Sequence, residues 1–600
     1  MPPIPIQTRW LVRLNTKHCK QNFSKETCIF PLLYSIFEYI QTMPIHFILM
    51  KKILLVFCLS VGLFSQVFAN NVTLSNISLT DQNITGHYCN IKFDISWDNS
   101  WRTATSVPGN WDACWLIAKF RVNNGDWYHC LLSTSAADHT APSGSTVYPA
   151  PDAMGVFIYR STDGNGSNNW TNAKLRWEYG MNGVSDDALV EVRLFAVEMV
   201  YIPAGDFYIG DGDGVNESLY ALHHESSNYA VQITSSLVLD IRVDNSSVYD
   251  DGQIKNTGIG IDGDGGLDIN NDGVIENDEF PTGYRQFYVM KYEISQEQYC
   301  AFLNTLTREQ QQARVETDIS GTSVTNVFVM TNTVGSMGYN GICCATTIPA
   351  APAPVEFFCD LSGDGTPNPD CDGQFMASNY MNWRDGAAYA DWAGLRPMTE
   401  LEYEKVTRGP NLPVLGEYSW GNTNIAPFWS SYTSILCSYS SVILSPNENT
   451  GRATYYYSVN SLVRCGIFAS SSINHTRQEA GAAYYGVMEM SGNLTEPVVN
   501  VGTVAGRSYR AVNGNGELDD DGNANVDYWP GINGNDKTWI ANTVYGGTTG
   551  VTESAGSGIK GGSYANLADF LIISHRAYTS SSYNLLRQQT DGHRFVRNAF

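Results

Sequence analysis

Two stretches of strict alternation constrain this chain more than any other feature. Leu116, Ala118, Phe120 and Val122 alternate with Ile117, Lys119 and Arg121, and Val190, Val192, Leu194 and Ala196 alternate with Glu191, Arg193 and Phe195. A period of two places each set on one face of a pleated strand, so both stretches are expected to be strands with one buried face. Asn124-Gly125 follows the first stretch and precedes Trp127-Tyr128. That pair favours a two-residue hairpin loop, because both central positions need positive φ. The loop would pair Asn123 with Asp126 and leave Cys114 and Cys130 out of register, so these two cysteines are not expected to bond to each other. Several more such runs, separated by Gly, Asn, Ser and Pro clusters, give an all-β sandwich as the expected fold of residues 70–197. Its tryptophans, Trp97, Trp101, Trp111, Trp115, Trp127, Trp170 and Trp177, are expected to pack in the core and on the sheets rather than form a carbohydrate-stacking face, because Trp is mostly buried.

The one long apolar run, 53–69, follows Lys51-Lys52 and closes on Val67-Phe68-Ala69. A charged start, a short apolar stretch and a small residue at its end make residues 50–69 a secretory signal. Met50 reads as the start of translation, and residues 1–49 as an upstream extension. The run is short for crossing a bilayer, and Cys58 lies inside it rather than at a lipid-acylation position. The mature chain is therefore expected to be secreted, extracellular or periplasmic, with no transmembrane segment. The formal net charge of -24 becomes -29 without residues 1–69, and no basic run remains to release counterions from a phosphate backbone. Nucleic acid is thus excluded as the expected partner. Ten of 13 cysteines remain, in a compartment where disulfides persist. Cys359 and Cys371 bracket an Asp/Gly/Pro loop that a disulfide would staple; unpaired buried thiols are the alternative.

Past residue 198 the signals change to short helices announced by their caps. Ser295 with Gln298 is a capping box leading into Tyr299, Phe302 and Leu303. Asn382 precedes Trp383, Ala387 and Trp392, with Gly394 as the stop, and Thr399 with Glu402 is a second box ending at Gly409. Around them stand residues 199–210, Trp392-Ala393-Gly394-Leu395-Arg396-Pro397-Met398-Thr399-Glu400-Leu401-Glu402-Tyr403-Glu404, Tyr418-Ser419-Trp420-Gly421-Asn422, Gly486-Val487-Met488-Glu489-Met490-Ser491-Gly492-Asn493, Lys560-Gly561-Gly562-Ser563-Tyr564 and Gly592-His593-Arg594-Phe595. In this order the motifs resemble the formylglycine-generating enzyme, or sulfatase-modifying factor, family over residues 198–600. The resemblance implies an α+β, C-type-lectin-like fold with long loop insertions, one of them at about 211–280. A β-rich region ahead of such a module also resembles secreted proteins of the Bacteroidetes type.

In that family two cysteines bind copper and oxidise a substrate cysteine with oxygen. Carried over from Tyr564, the two positions are Asn566 and Leu571. Neither supplies the soft thiolate that holds Cu(I), and no cysteine follows Cys465, so no copper is expected. The iron-dependent sulfur transfer of related proteins draws its histidines largely from an additional helical domain that this sequence lacks. His223, His224, His475, His575 and His593 show no metal spacing and are expected to be surface or packing histidines.

Residues 268–279 fill every ligand position of a calcium loop. Asp268, Asn270 and Asp272 occupy positions 1, 3 and 5, Gly273 makes the turn, Val274 offers its carbonyl, Glu276 fills position 9 and Glu279 is the bidentate carboxylate. Gly-rich sequence before and Phe280-Pro281 after exclude the usual helix pair. A rigid Ca²⁺ loop is therefore expected, with an ion-free acidic turn as the alternative. Residues 360–372 and 513–523 share the composition without the full pattern. The resemblance implies a second calcium at Asn493 and Glu496, although Thr495 and Pro497 replace the aromatics that flank this acid in the family. The expected function is a secreted, noncatalytic, calcium-stabilised binding or surface protein facing an extracellular glycan or protein. The alternative is a formylglycine-generating or related metal-dependent oxidoreductase acting on cysteine-containing substrates.

Overall fold

Both alternating stretches form strands, and both strands are buried on two faces rather than one. The computed structural model describes residues 72–212, 221–224, 230–235, 241–243, 277–366, 372–426, 450–456, 462–469, 476–533, 550–579 and 585–600. Residues 68–600 fall in one unit, and a second unit, 11–67, lies outside the described residues together with the expected signal.

The N-terminal region is rich in β-strand: β1 (Thr73–Asn83), β2 (Tyr88–Arg102), β3 (Asp112–Val122), β4 (Tyr128–His129), β5 (Ser145–Pro149), β6 (Val156–Arg160), β7 (Gly164–Trp177) and β8 (Val190–Ile202). Strands β1, β2 and β7 make one sheet. An eight-stranded sheet runs Arg396–Pro397, Phe595–Asn598, Phe287–Met290, β8, β3, β6 and β5, with β4 attached to β3. β3 and β8 pair antiparallel from Asp112↔Val200 to Val122↔Val190. The same β8 pairs on its other side with Phe287–Met290, from Phe287↔Ile202 to Met290↔Met199. The expected junction near residue 197 thus falls inside a single strand, and a mixed α/β region continues the sheet.

Two apolar clusters meet at β3. Cys114, Leu116, Ala118 and Phe120 pack with Ile91 and Phe93 of β2 and with Leu175 and Trp177 of β7. Ala113, Trp115 and Ile117 pack from the other face with Tyr288, Phe302, Trp392 and Phe595. This second layer corrects the expectation of one buried face. Lys119, placed by alternation on the open side, is buried and donates to the carbonyls of Trp392 (2.8 Å) and Gly516, and its burial pulls the amine down to about 7. Trp115 likewise donates its indole N–H to Ala393 O at 2.8 Å.

The hairpin turn also differs by one residue. Asn123 and Asn124 hold the positive φ values, 53° and 60°, and Gly125 donates its N–H to Val122 O. The pairing becomes Phe120↔Tyr128, because asparagine tolerates the left-handed region and can take the place assigned to glycine. Cys114 and Cys130 are both buried and free. Trp97, Trp115 and Trp177 are fully buried, while cationic side chains cover three others: Lys291 over Trp101, Arg102 over Trp111, and Arg121 and Arg193 over Trp127.

Among the described residues four capped helices follow, α1 (Gln296–Leu303), α2 (Arg308–Arg314), α3 (Trp383–Trp392) and α4 (Glu400–Arg408), and then a single helical turn at Val504–Arg507. Each of the four starts on a capping box, from Ser295, Thr307, Asn382 and Thr399 respectively. In such a box the cap side chain takes an otherwise orphaned N–H, and the residue three further on returns the favour. α3 passes close to His593, and a Cβ at Gly386 would lie 2.3 Å from that ring. Among the described residues no helix is long and apolar enough to cross a membrane.

Candidate functional site

Strand Ser557–Lys560 pairs with Glu496–Val499 and then leaves the sheet through Gly561 and Gly562. Gly562 sits at φ 64°, and a Cβ there would lie 2.8 Å from Leu571 Cδ1, so the close approach depends on its missing side chain. Ser563 follows and donates both its N–H (2.8 Å) and its hydroxyl (2.7 Å) to Asn566 Oδ1. The Asn566 carbonyl accepts from the Tyr456 N–H at 2.7 Å. Five residues on, Leu571 ends a short 3-10 turn, Ala568–Leu571. Its side chain is fully buried with Tyr418, Trp420, Ala453 and Ile572, and a Cβ at Gly492 would come within 3.2 Å of it. The Leu571 carbonyl accepts from Ser491 Oγ at 2.8 Å, and that oxygen in turn accepts from the Ser419 N–H at 3.1 Å.

The two positions singled out in the sequence therefore lie on one short segment, where an amide is closed on Ser563 and an alkyl group fills an aromatic cluster. Neither residue offers the soft donor that Cu(I) takes. The Ser419–Ser491 link carries no sequence signal of its own, although both serines stand inside the motifs Tyr418–Asn422 and Gly486–Asn493.

Behind this segment the core is charged. Glu496 accepts three hydrogen bonds from Arg594, two from Nε at 2.9 and 3.0 Å and one from a terminal nitrogen at 2.7 Å. The same guanidinium donates to the carbonyls of Met290 (2.9 Å) and Met488 (2.8 Å). Asn493 donates to Glu293 and accepts from the Val463 N–H at 2.9 Å, and Glu293 also accepts from the Leu494 N–H at 3.0 Å. Burial, with Glu496 adding to it, raises the Glu293 carboxyl well above its usual range. Burial likewise pushes Glu489 up to about 7.

The calcium expectation is corrected. Among the described residues no group of three or more His, Cys, Asp or Glu side chains is placed to hold a metal ion. Glu496 is committed to Arg594, and Asn493 to Glu293 and Val463. Asp268, Asn270, Asp272, Val274 and Glu276 lie outside the described residues, while Glu279 is exposed and pairs with Arg510 at 3.1 Å. In the weaker acidic stretches Asp360 and Asp519 close their own turns. Asp360 accepts from the N–H groups of Asp364 and Gly365, and Asp519 from that of Asn523.

His593 and His575 pack. His593 lies within 3.0 Å of Asn382 O through Nε2 and stacks on Phe595, and burial pushes it down to about 4. His575 is also lowered to about 4, by burial and then by Lys560. His223 and His224 fall in strand Leu222–His224, and His475 lies outside the described residues, as does Cys371. Cys359 faces another thiol, Cys300 Sγ at 3.7 Å.

Residues 270–599, more than half of the chain, match the model of the sulfatase-modifying factor enzyme 1-like domain. No curated protein matches the chain.

Proposed function

Since this chain belongs to the family of sulfatase-modifying factor enzyme 1-like domains, we propose that it is an exported, noncatalytic binding or surface protein. The reading takes the mixed α/β region as C-type-lectin-like and the strand-rich region as a β-sandwich fused to it through β8. One observation carries it: Leu571, at a position where the family's chemistry needs a thiolate, is fully buried in an aromatic cluster. Function resides in the site rather than in the fold, and this site has become core. Around it Tyr455 and Phe570 are half-buried, and Tyr456, Leu567 and Tyr578 are exposed. That rim offers apolar and aromatic surface to an extracellular glycan or protein, and a glycan array screens the first class.

The test of the noncatalytic reading is incubation of the purified protein with Cu(I), oxygen and a sulfatase-type cysteine peptide. Mass spectrometry is expected to find no aldehyde above a metal-only control, and turnover would overturn the reading. Export has its own measurement: the secreted protein is expected to begin at Asn70, and recovery of residues 1–49 on it would refute the signal at 50–69.

A further inference from the structure

We propose that Cys300 and Cys359 are a disulfide-forming pair that fastens α1 to the strand Phe357–Cys359. Their Sγ atoms lie 3.7 Å apart, and both side chains belong to the same apolar cluster, 5% and 6% exposed. The backbone around them is already fixed. Asn304, which caps the end of α1, donates through Nδ2 to Phe357 O at 2.8 Å and accepts from the Phe357 N–H at 2.9 Å. Gln311 of α2 holds Val355 in the same two-way manner, at 2.9 and 2.8 Å. Helix and strand are thus clamped two and four residues before Cys359, and a disulfide needs the sulfurs to close to about 2.05 Å.

The neighbouring thiols occupy other register positions. Cys344 stands opposite Phe357 in the register and Cys343 opposite Phe358, while Cys359 stands opposite Ile342. Cys343 alternates onto the face away from the cluster that holds Cys300, Cys344 and Cys359.

Both sulfurs are buried in the folded chain, so the bond closes during folding. One thiolate attacks a disulfide donor, such as oxidised glutathione or an oxidised protein dithiol, and forms a mixed disulfide. The second thiolate then displaces the donor's remaining sulfur. Two protons and two electrons leave the cysteine pair, and the donor disulfide becomes two thiols. The proposal goes beyond the binding role and stands or falls separately from it. It needs only the oxidising surroundings that export would provide.

The experiment is refolding of the full chain in a glutathione redox buffer, alkylation with N-ethylmaleimide, digestion without reduction and mass spectrometry. The expected product is a peptide pair joined through Cys300 and Cys359, two hydrogens lighter than the separate peptides and separated by reductant. The oxidised parent is expected to melt several degrees above the reduced parent, and Cys300→Ala or Cys359→Ala to abolish that difference. Recovery of both residues as alkylated thiols would overturn the proposal, and so would a bond from Cys359 to Cys371 or to any other cysteine. The mapping on the parent chain decides the matter even if a variant fails to fold.

Discussion

Arg594→Met is expected to cost the folded chain about 3–5 kcal/mol, the penalty for removing one partner of a buried ion pair. Glu496 would keep its desolvated carboxylate and lose the three hydrogen bonds that Arg594 supplies. The Met290 and Met488 carbonyls would lose a donor each, and Glu293 and Glu489 would lose a positive charge that offsets them. In thermal unfolding of a unit this size this corresponds to a fall of roughly 3–5 °C in apparent Tm. The deficit has a defined pH dependence. A buried carboxyl without a counter-charge is raised in the folded state, so its proton stabilises that state at low pH and the benefit disappears as pH rises through the raised value. The variant is therefore expected to lie closest to the parent near pH 5 and to fall away toward pH 8. Adding Glu496→Gln should recover part of the loss by removing the uncompensated charge. A single variant within 1 kcal/mol of the parent at neutral pH would show that the cluster does not hold the core.

Leu571→Ala is expected to cost about 2–5 kcal/mol, the range for a truncated buried leucine that leaves a cavity. The surroundings have little freedom to collapse. Trp420 is fully buried and its indole N–H is tied to Asn422 Oδ1 and Asn424 O at 3.1 and 3.0 Å, while Gly562 and Gly492 face the leucine with backbone alone. Leu571→Met, which keeps the volume, should cost less than about 1.5 kcal/mol. The measurement is urea or thermal unfolding of the three proteins side by side. If alanine were tolerated as well as methionine, the cluster around Leu571 would be loosely filled, and the assignment of this position to core rather than chemistry would lose its support.

Local devices were legible in the sequence. Ser295, Asn382 and Thr399 mark helix starts because a cap and its reciprocal partner lie three residues apart. Thr307 and Gln310 are equally local, but Arg308–Arg314 carries no apolar spacing, so the sequence offers no face to read. The two asparagines at 123 and 124 displaced the turn because two side chains competed for the same conformation. What lay beyond reach was anything decided across the chain. Lys119 is buried by α3, Glu496 is neutralised by Arg594, and Asn493 turns to Glu293. A carboxylate and an amide three residues apart look the same in sequence whether they face an ion or a guanidinium 98 residues away. The packing that buries Leu571 among Tyr418, Trp420 and Ile572 was not legible either.

The shared sheet also governs the order in which this protein can be assembled. Phe595–Asn598 lies between Phe287–Met290 and Arg396–Pro397, so both of those strands wait for a partner made long after them. As the chain leaves the ribosome, β8 and Phe287–Met290 can zip together early and then present a raw edge of unpaired N–H and C=O groups, a template for any other extended chain nearby. Strand β3, meanwhile, can be covered on one side only, because its second layer is contributed in part by residues still to be made. The strand-rich region is therefore not a free-standing module that folds and hands over to the next. Holding that edge apart until residues 595–598 arrive becomes a task for chaperones.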